Sequence, residues 1–300
     1  MKTKTYLFAL MTMALTLGSC SDNENGIGGE TSKYITVSTS IGNMTRVATD
    51  EKGGQTFEEG DEISVYAWTG DATVAPETRE RVVNNAINKL TNGSWISNPQ
   101  MLWKNNRDKH YFIGVYPISA ISDLSAGEYT FDETKQVESD LLVAVNKDGI
   151  SYNADEQQTV PLTFTHVMAK LAVNLTYKNQ WGGIPTVEKV VVGNAAKEAT
   201  INYLTKVVTP STTAKEDFSL PEITENTKYV SVIIPQEDVK QLTIVIGGKN
   251  FVYDNGTPFK LESGKITTVN LEVGRDEIKL GDVKITNWED GSTFSGEALN

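Results

Sequence analysis

The sequence predicts an all-β protein built as two β-sandwiches in series, and three observations predict it. Apolar residues recur with a period of two along most of the chain, the spacing of strands with one buried face. Turn dipeptides such as Asn92-Gly93, Gly247-Gly248, Asn255-Gly256 and Ser263-Gly264 separate these runs. About a dozen or more short strands result, which exceeds the ~7 of one small sandwich. The 300 residues fit one large domain or two ordinary ones, and with 39% hydrophobic and 22% charged residues the chain can bury real cores.

The first element is a leader. Lys2 and Lys4 precede an apolar run from Tyr6 to Leu17 and the small-residue stretch Leu17-Gly18-Ser19-Cys20. The run is shorter than the ~20 residues a helix needs to cross a bilayer. It resembles the lipobox of a bacterial lipoprotein, which implies removal of residues 1–19 and acylation of Cys20, the only Cys in the chain. The alternative is an ordinary secretory signal cut near a Cys. Acyl chains at about 0.8 kcal/mol per buried methylene anchor a protein stably. Residues 20–32 read as a flexible tether, and their acidic start, Ser21-Asp22-Asn23-Glu24, resembles the surface-export signal of lipoproteins in gut and oral Gram-negative anaerobes. Loss of Lys2 and Lys4 with the leader takes the net charge from −12 to about −14.

The body follows in order. Ile35, Val37, Thr39 and Ile41 alternate with polar residues as a first strand, and Ile63, Val65 and Ala67 share a face of the next. Thr78 to Leu90 carries Val82, Val83, Ala86, Ile87 and Leu90 near helical spacing, but the Asn92-Gly93 turn behind it fits a hairpin equally well. Strands are expected over Tyr111 to Tyr116, Leu141 to Val145 and, most clearly, Val167 to Tyr177. Later runs are Val187 to Val192, Tyr229 to Ile234, Leu242 to Ile246, Phe251 to Tyr253 and Ile266 to Val273. The polar stretch Asp155 to Pro161 is the expected join, giving an N-terminal sandwich over 33–158 and a C-terminal one over 159–300; Val160 to Thr165 is also placed to close the first sandwich instead.

Little in the sequence supports catalysis. The excess of 39 Asp+Glu over 27 Lys+Arg argues against nucleic-acid binding, which runs on basic phosphate contacts. One Cys and two His leave little material for a metal site, and no cofactor, metal ligand set or catalytic residue is expected. Gly26-Ile27-Gly28-Gly29 lacks the Lys-Ser/Thr of a P-loop. His110 and His166 read as structural hydrogen-bonders, and the acidic pairs Glu58-Glu59, Asp155-Glu156, Glu237-Asp238 and Asp276-Glu277 as solvated loop ends. The five Trp (Trp68, Trp95, Trp103, Trp181, Trp288) are either packing residues or a sugar-stacking platform.

One ordered set of segments stands out. The lipobox Cys and first strand precede Met44-Thr45-Arg46-Val47 and the stretch from Phe57-Glu58-Glu59-Gly60-Asp61 to Tyr66. Then come Tyr111 to Pro117, Asp140 to Ala144, Leu162-Thr163-Phe164-Thr165-His166 through Leu171, Ile233-Ile234-Pro235-Gln236 and Leu261 to Lys265. This order resembles the fimbrillin-like (Mfa-like) family, the subunits of type V pili on Gram-negative anaerobes. The resemblance implies two tandem transthyretin-like Greek-key sandwiches and a fimbrial subunit, stalk or accessory, that supports adhesion. It implies a lipidated precursor held in the outer membrane through Cys20 and cut by an Arg-specific surface protease after Arg46, with Val47 as the new N-terminus. The strand carrying Ile35, Val37 and Ile41 would then leave, and a strand from another pilin subunit would enter the groove.

The candidate donor is the C-terminal segment, where Ile278 and Leu280, then Val283 and Ile285, alternate in two phases broken by Gly281-Asp282. Completion of the second sandwich is the plainer role for those residues. The competing function is a surface glycan-binding lipoprotein of a polysaccharide-uptake system; a glycosidase comes third and needs a convergent carboxylate pair.

Overall fold

The computed structural model describes residues 33–42, 56–153, 156, 158–254 and 256–288. Among them it is all-β, with one 3-10 turn at Thr78–Glu80. The strands of the N-terminal half are β1 (Thr36–Ile41), β2 (Glu62–Thr69), β3 (Arg81–Thr91), β4 (Ser94–Asn98), β5 (Lys109–Tyr116), β6 (Gly127–Thr130), β7 (Leu142–Ser151) and β8 (Thr159–His166). Those that follow are β9 (Ala169–Tyr177), β10 (Val187–Ala196), β11 (Glu198–Asn202), β12 (Val207–Pro210), β13 (Lys215–Leu220) and β14 (Glu222–Thr224). The last are β15 (Lys228–Ile233), β16 (Gln241–Ile246), β17 (Lys249–Asp254), β18 (Lys265–Val273) and β19 (Ile278–Asn287).

Seven strands form the first sheet, in the order β1-β8-β7-β5-β2-β3-β4. The sheet curls so that its two ends approach: the Ile35 N–H donates to the Met101 carbonyl (2.9 Å), and Tyr34 bridges Leu102 beyond the end of β4. Its inner face encloses Ile63, Val65, Phe112, Leu162 and Phe164. The outer face of β2, β5 and β7 presents Tyr66, Trp68, Ile113, Val115 and Val143 to a core shared with the C-terminal half. These strands are therefore buried on both sides, and β2 reads as a run without a polar phase, as such strands do.

The residues of ambiguous periodicity form a hairpin. Thr78–Glu80 is a 3-10 turn and β3 pairs with β4 through Asn92 (φ 51°) and Gly93 (φ 73°), the positive dihedrals of a tight primed turn. The helical look of β3 comes from a bulge: Asn85 has φ 56°, and the register to β2 shifts there. One extra residue moves the buried phase from Val83 to Ala86, a spacing of three.

In the C-terminal half a five-stranded sheet, β14-β15-β9-β18-β19, packs on a four-stranded one, β13-β10-β16-β17. Leu171, Val173, Val269 and Leu271 of the first meet Val190, Val192, Leu242 and Ile244 of the second. A third sheet, β12-β11-β6, joins the halves, because β6 comes from the N-terminal part and β11 from the C-terminal part. Sheet membership changes at Val167–Met168, not at 158–159: β8 pairs with β1 and β7, and the strand expected to run from Val167 begins at Ala169 in another sheet.

Candidate functional site

β1 lies in a slot that the rest of the N-terminal sheet forms around it. Its alternation puts Ile35 (2% exposed) and Val37 (6% exposed) inward, where they join Val160, Leu162, Phe164, Met101 and Trp103; Ile41 is half-buried against the same cluster. Burial of each such aliphatic side chain stabilises by about 1.5–3 kcal/mol. Ser38 and Ser40 face solvent, and the Ser40 hydroxyl donates to Thr163 Oγ1 (3.2 Å).

Along its length β1 has one ladder partner. It runs parallel to β8, from Thr36 opposite Thr159 to Ile41 opposite Phe164. On the other edge, the Trp103 N–H donates to the Lys33 carbonyl (3.3 Å) and the Trp95 indole N–H to Thr39 Oγ1 (3.0 Å). β8 depends on β1 in turn, because β7 pairs only with Phe164, Thr165 and His166. The Gly42 N–H donates to the Phe164 carbonyl (2.7 Å), so alternation turns the backbone groups of Leu162 and Val160 toward β1 as well. It turns Pro161, which has no N–H, to the side where β7 has left the ladder. Removal of β1 would leave residues 159–163 with no ladder partner.

Phe57 closes the end of the slot. Its ring meets Trp95, Tyr116 and Phe164 edge-on, with centroids 5.3, 5.3 and 5.1 Å away. The Tyr116 hydroxyl donates to Asp61 Oδ1 (3.3 Å), and burial, aided by the nearby carboxylates, pushes it up to about 12.

The expected donor segment forms β19, the edge strand of the five-stranded sheet, and pairs antiparallel with β18. Leu271 faces Leu280 and Asn270 faces Asp282, so Gly281 is the extra residue of a bulge. The bulge merges the two apolar phases onto one face: Ile278, Leu280, Val283 and Ile285 stand opposite Val273, Leu271, Val269 and Thr267. Ile278 packs against the core, whereas Leu280, Val283 and Ile285 are partly open to solvent, at 38%, 37% and 39% exposure.

The remaining singled-out residues have packing roles. His110 is fully buried: its Nε2 accepts from the Lys104 N–H (3.1 Å) and its Nδ1 faces the Asp108 carbonyl (3.1 Å), the pattern of a neutral ring. Burial holds it below its ordinary value. His166 Nδ1 meets Asp140 Oδ1 at 2.8 Å. Trp68, Trp103 and Trp288 are buried; Trp95 packs on Phe57, and Trp181 packs on Phe251 and donates to the Val273 carbonyl (3.0 Å). None of the five is an exposed sugar platform. Among the described residues no group of three or more His, Cys, Asp or Glu is placed to hold a metal, and no helix is long and apolar enough to cross a membrane. Cys20, Arg46 and Val47 lie outside the described residues. The contributions of Phe57, Pro161 and Trp288 were not foreseen; only Pro161, a proline inside an alternating run, left a sequence signal.

The seven-stranded sheet joined to the packed sheets of the C-terminal half is an all-β architecture shared with proteins of known structure. The fimbrillin-like family model matches residues 45–288, and the chain belongs to that family of fimbrial structural proteins, which assemble with other pilin subunits at the cell surface. The fold is similar to that of a proposed cell adhesion protein from Bacteroides uniformis, with a TM-score of 0.63 at 19% identity, covering 87% of this chain and 98% of the other. A second proposed cell adhesion protein, from Bacteroides ovatus, gives 0.62 at 18% identity over 85% and 98%. A fimbrial protein from Bacteroides vulgatus gives 0.53 at 12% identity over 86% and 100%. No curated protein sequence matches the chain.

Proposed function

We propose that the protein is a non-catalytic stalk or accessory subunit of a surface fimbria, assembled by exchange of β1 for a strand of another subunit. In this reading the precursor is exported as a lipoprotein, acylated at Cys20 and displayed on the outer membrane, and an Arg-specific surface protease cuts after Arg46. β1 leaves, the slot opens, and the C-terminal segment bearing Ile278, Leu280, Val283 and Ile285 of a neighbouring subunit enters it. The polymer then supports adhesion.

The observation that carries this reading is the seat of β1. The strand is short and has a single ladder partner, yet with the preceding Ile35 it places two buried side chains, Ile35 and Val37, in the N-terminal core. Its loss opens both a backbone edge and an apolar slot, the two features that drive strand addition. The packed Trp side chains weigh against the glycan-binding alternative.

N-terminal sequencing of the protein stripped from cells, with electron microscopy of the surface, tests it. A chain starting at Val47 together with fibres is expected. An intact acylated chain as the sole form, without fibres, overturns the stalk role.

A further inference from the structure

Of residues 278–288, only Trp288 is buried, at 4% exposure. Its indole stacks on the His166 ring, with centroids 4.0 Å apart and planes 7° from parallel, and Lys170 Nζ lies 4.1 Å from the same centroid. The indole thus packs on the imidazole and makes a cation–π contact with the ammonium, strengthened by burial of Lys170 at 2% exposure. The Trp288 N–H donates to the Gly264 carbonyl (3.0 Å). Gly264 is itself tied to this junction, because its N–H donates to Met168 and the Ser263 hydroxyl donates to Val167. Beyond its ladder to β18, the hold on the end of β19 is therefore concentrated in one residue, seated where the first sheet ends and β9 begins.

His166 is the last residue of β8. The other strand on β8 is β1, which pairs with it up to Phe164, two residues away, while β7 retains only Phe164 to His166. The seat of Trp288 and the slot of β1 are thus two ends of one short strand.

We propose that Trp288 is a latch on β19 whose closure depends on β1: with β1 gone, β8 is held only over Phe164–His166 by β7, His166 shifts against the indole and the protection of β19 falls. The latch makes a subunit that still holds its own β1 a poor donor and one that has lost it a ready donor. That ordering rests on the assembly reading above; the coupling itself does not.

Amide hydrogen exchange over 278–287 in the full-length, uncut chain tests it. Trp288→Ala should raise exchange there by about tenfold or more. Val37→Asp, which expels β1 without any cleavage, should do the same, with β10 and β16 still protected. The double variant should exchange no faster than the quicker single one, since both open one contact. Where Val37→Asp also exposes β10 and β16, Val37→Ala should give the same pattern at lower amplitude. Unchanged protection of 278–287 when β1 is loosened by either substitution overturns the coupling, and unchanged protection in Trp288→Ala overturns the latch. None of these measurements needs a cut at Arg46, so an uncut cellular protein would remove the assembly reading and leave the latch standing.

Discussion

β1 and β19 are both edge strands with one ladder partner each, and they hold on by different means. Ladder hydrogen bonds, each about 0.5–1.5 kcal/mol net, are common to the two. β1 adds Ile35 and Val37 at 2% and 6% exposure, whereas the apolar stripe of β19 stays between 37% and 39% exposed at Leu280, Val283 and Ile285. In the assembly proposed above, the difference assigns the plug to β1 and the arm to β19. Removal of β1 would open the N-terminal core. β19 carries the more exposed apolar side chains, and in the proposed assembly Val283 and Ile285 would gain burial in a slot of alternating apolar pockets.

The largest effect expected from that contrast comes from placing a charge on each strand. Val37→Asp buries an unpaired carboxylate among Val160, Leu162 and Phe164 and should lower unfolding free energy by more than about 3 kcal/mol. Val283→Asp, on a side chain 37% exposed, should lower it by less than about 1 kcal/mol. Denaturant unfolding of the two variants measures both. Equal losses would break the comparison.

A smaller effect sharpens it at the mouth of the slot. Phe57→Ala removes the ring that Trp95, Tyr116 and Phe164 share, and aromatic pairs add about 0.5–1.5 kcal/mol each beyond area. A loss of about 2–3 kcal/mol is expected, with faster amide exchange in β1 and a smaller rise in β19 passed on through β8. Exchange that rises in β19 but not in β1 would show that the ring of Phe57 does not hold the first strand.

Much of this contrast was legible in the residues. The clean alternation of Ile35, Val37, Thr39 and Ile41 is a period-two pattern with one dry face, and the first strand has that face. The segments Thr78 to Leu90 and Ile278 to Ile285 were harder for a single physical reason. Each contains a bulge, at Asn85 and at Gly281, and one extra residue converts a strict alternation into a spacing of three. In β3 that spacing imitates a helix; in β19 it splits one apolar face into two apparent phases. The parallel pairing of β1 with β8 was beyond reach, because partners 123 residues apart leave no local trace in either strand. The Trp288 seat is hidden for the same reason: His166, Lys170 and Gly264 converge on it from separate segments.

The smallest expected effect is on pH, and it bears on the plug side alone. His110 packs against Trp103, which lines the β1 slot, with ring centroids 5.0 Å apart. Its Nε2 accepts the Lys104 N–H, so protonation of the folded protein would break that bond inside a buried site, and burial holds the ring below its ordinary 6.5. Above pH 6.5 both folded and unfolded chains carry a neutral ring and the full contribution is present. As pH falls below 6.5, the unfolded chain takes up a proton that the folded chain refuses, and stability drops until the depressed folded-state value is reached. The slope is bounded by about 1.4 kcal/mol per pH unit for one group. Denaturant midpoints at pH 7 and pH 5 in wild type and His110→Gln isolate it from the titrating carboxylates. The variant should lose part of the acid-induced drop; an identical drop in both proteins would show that His110 does not tie the β1 slot to pH.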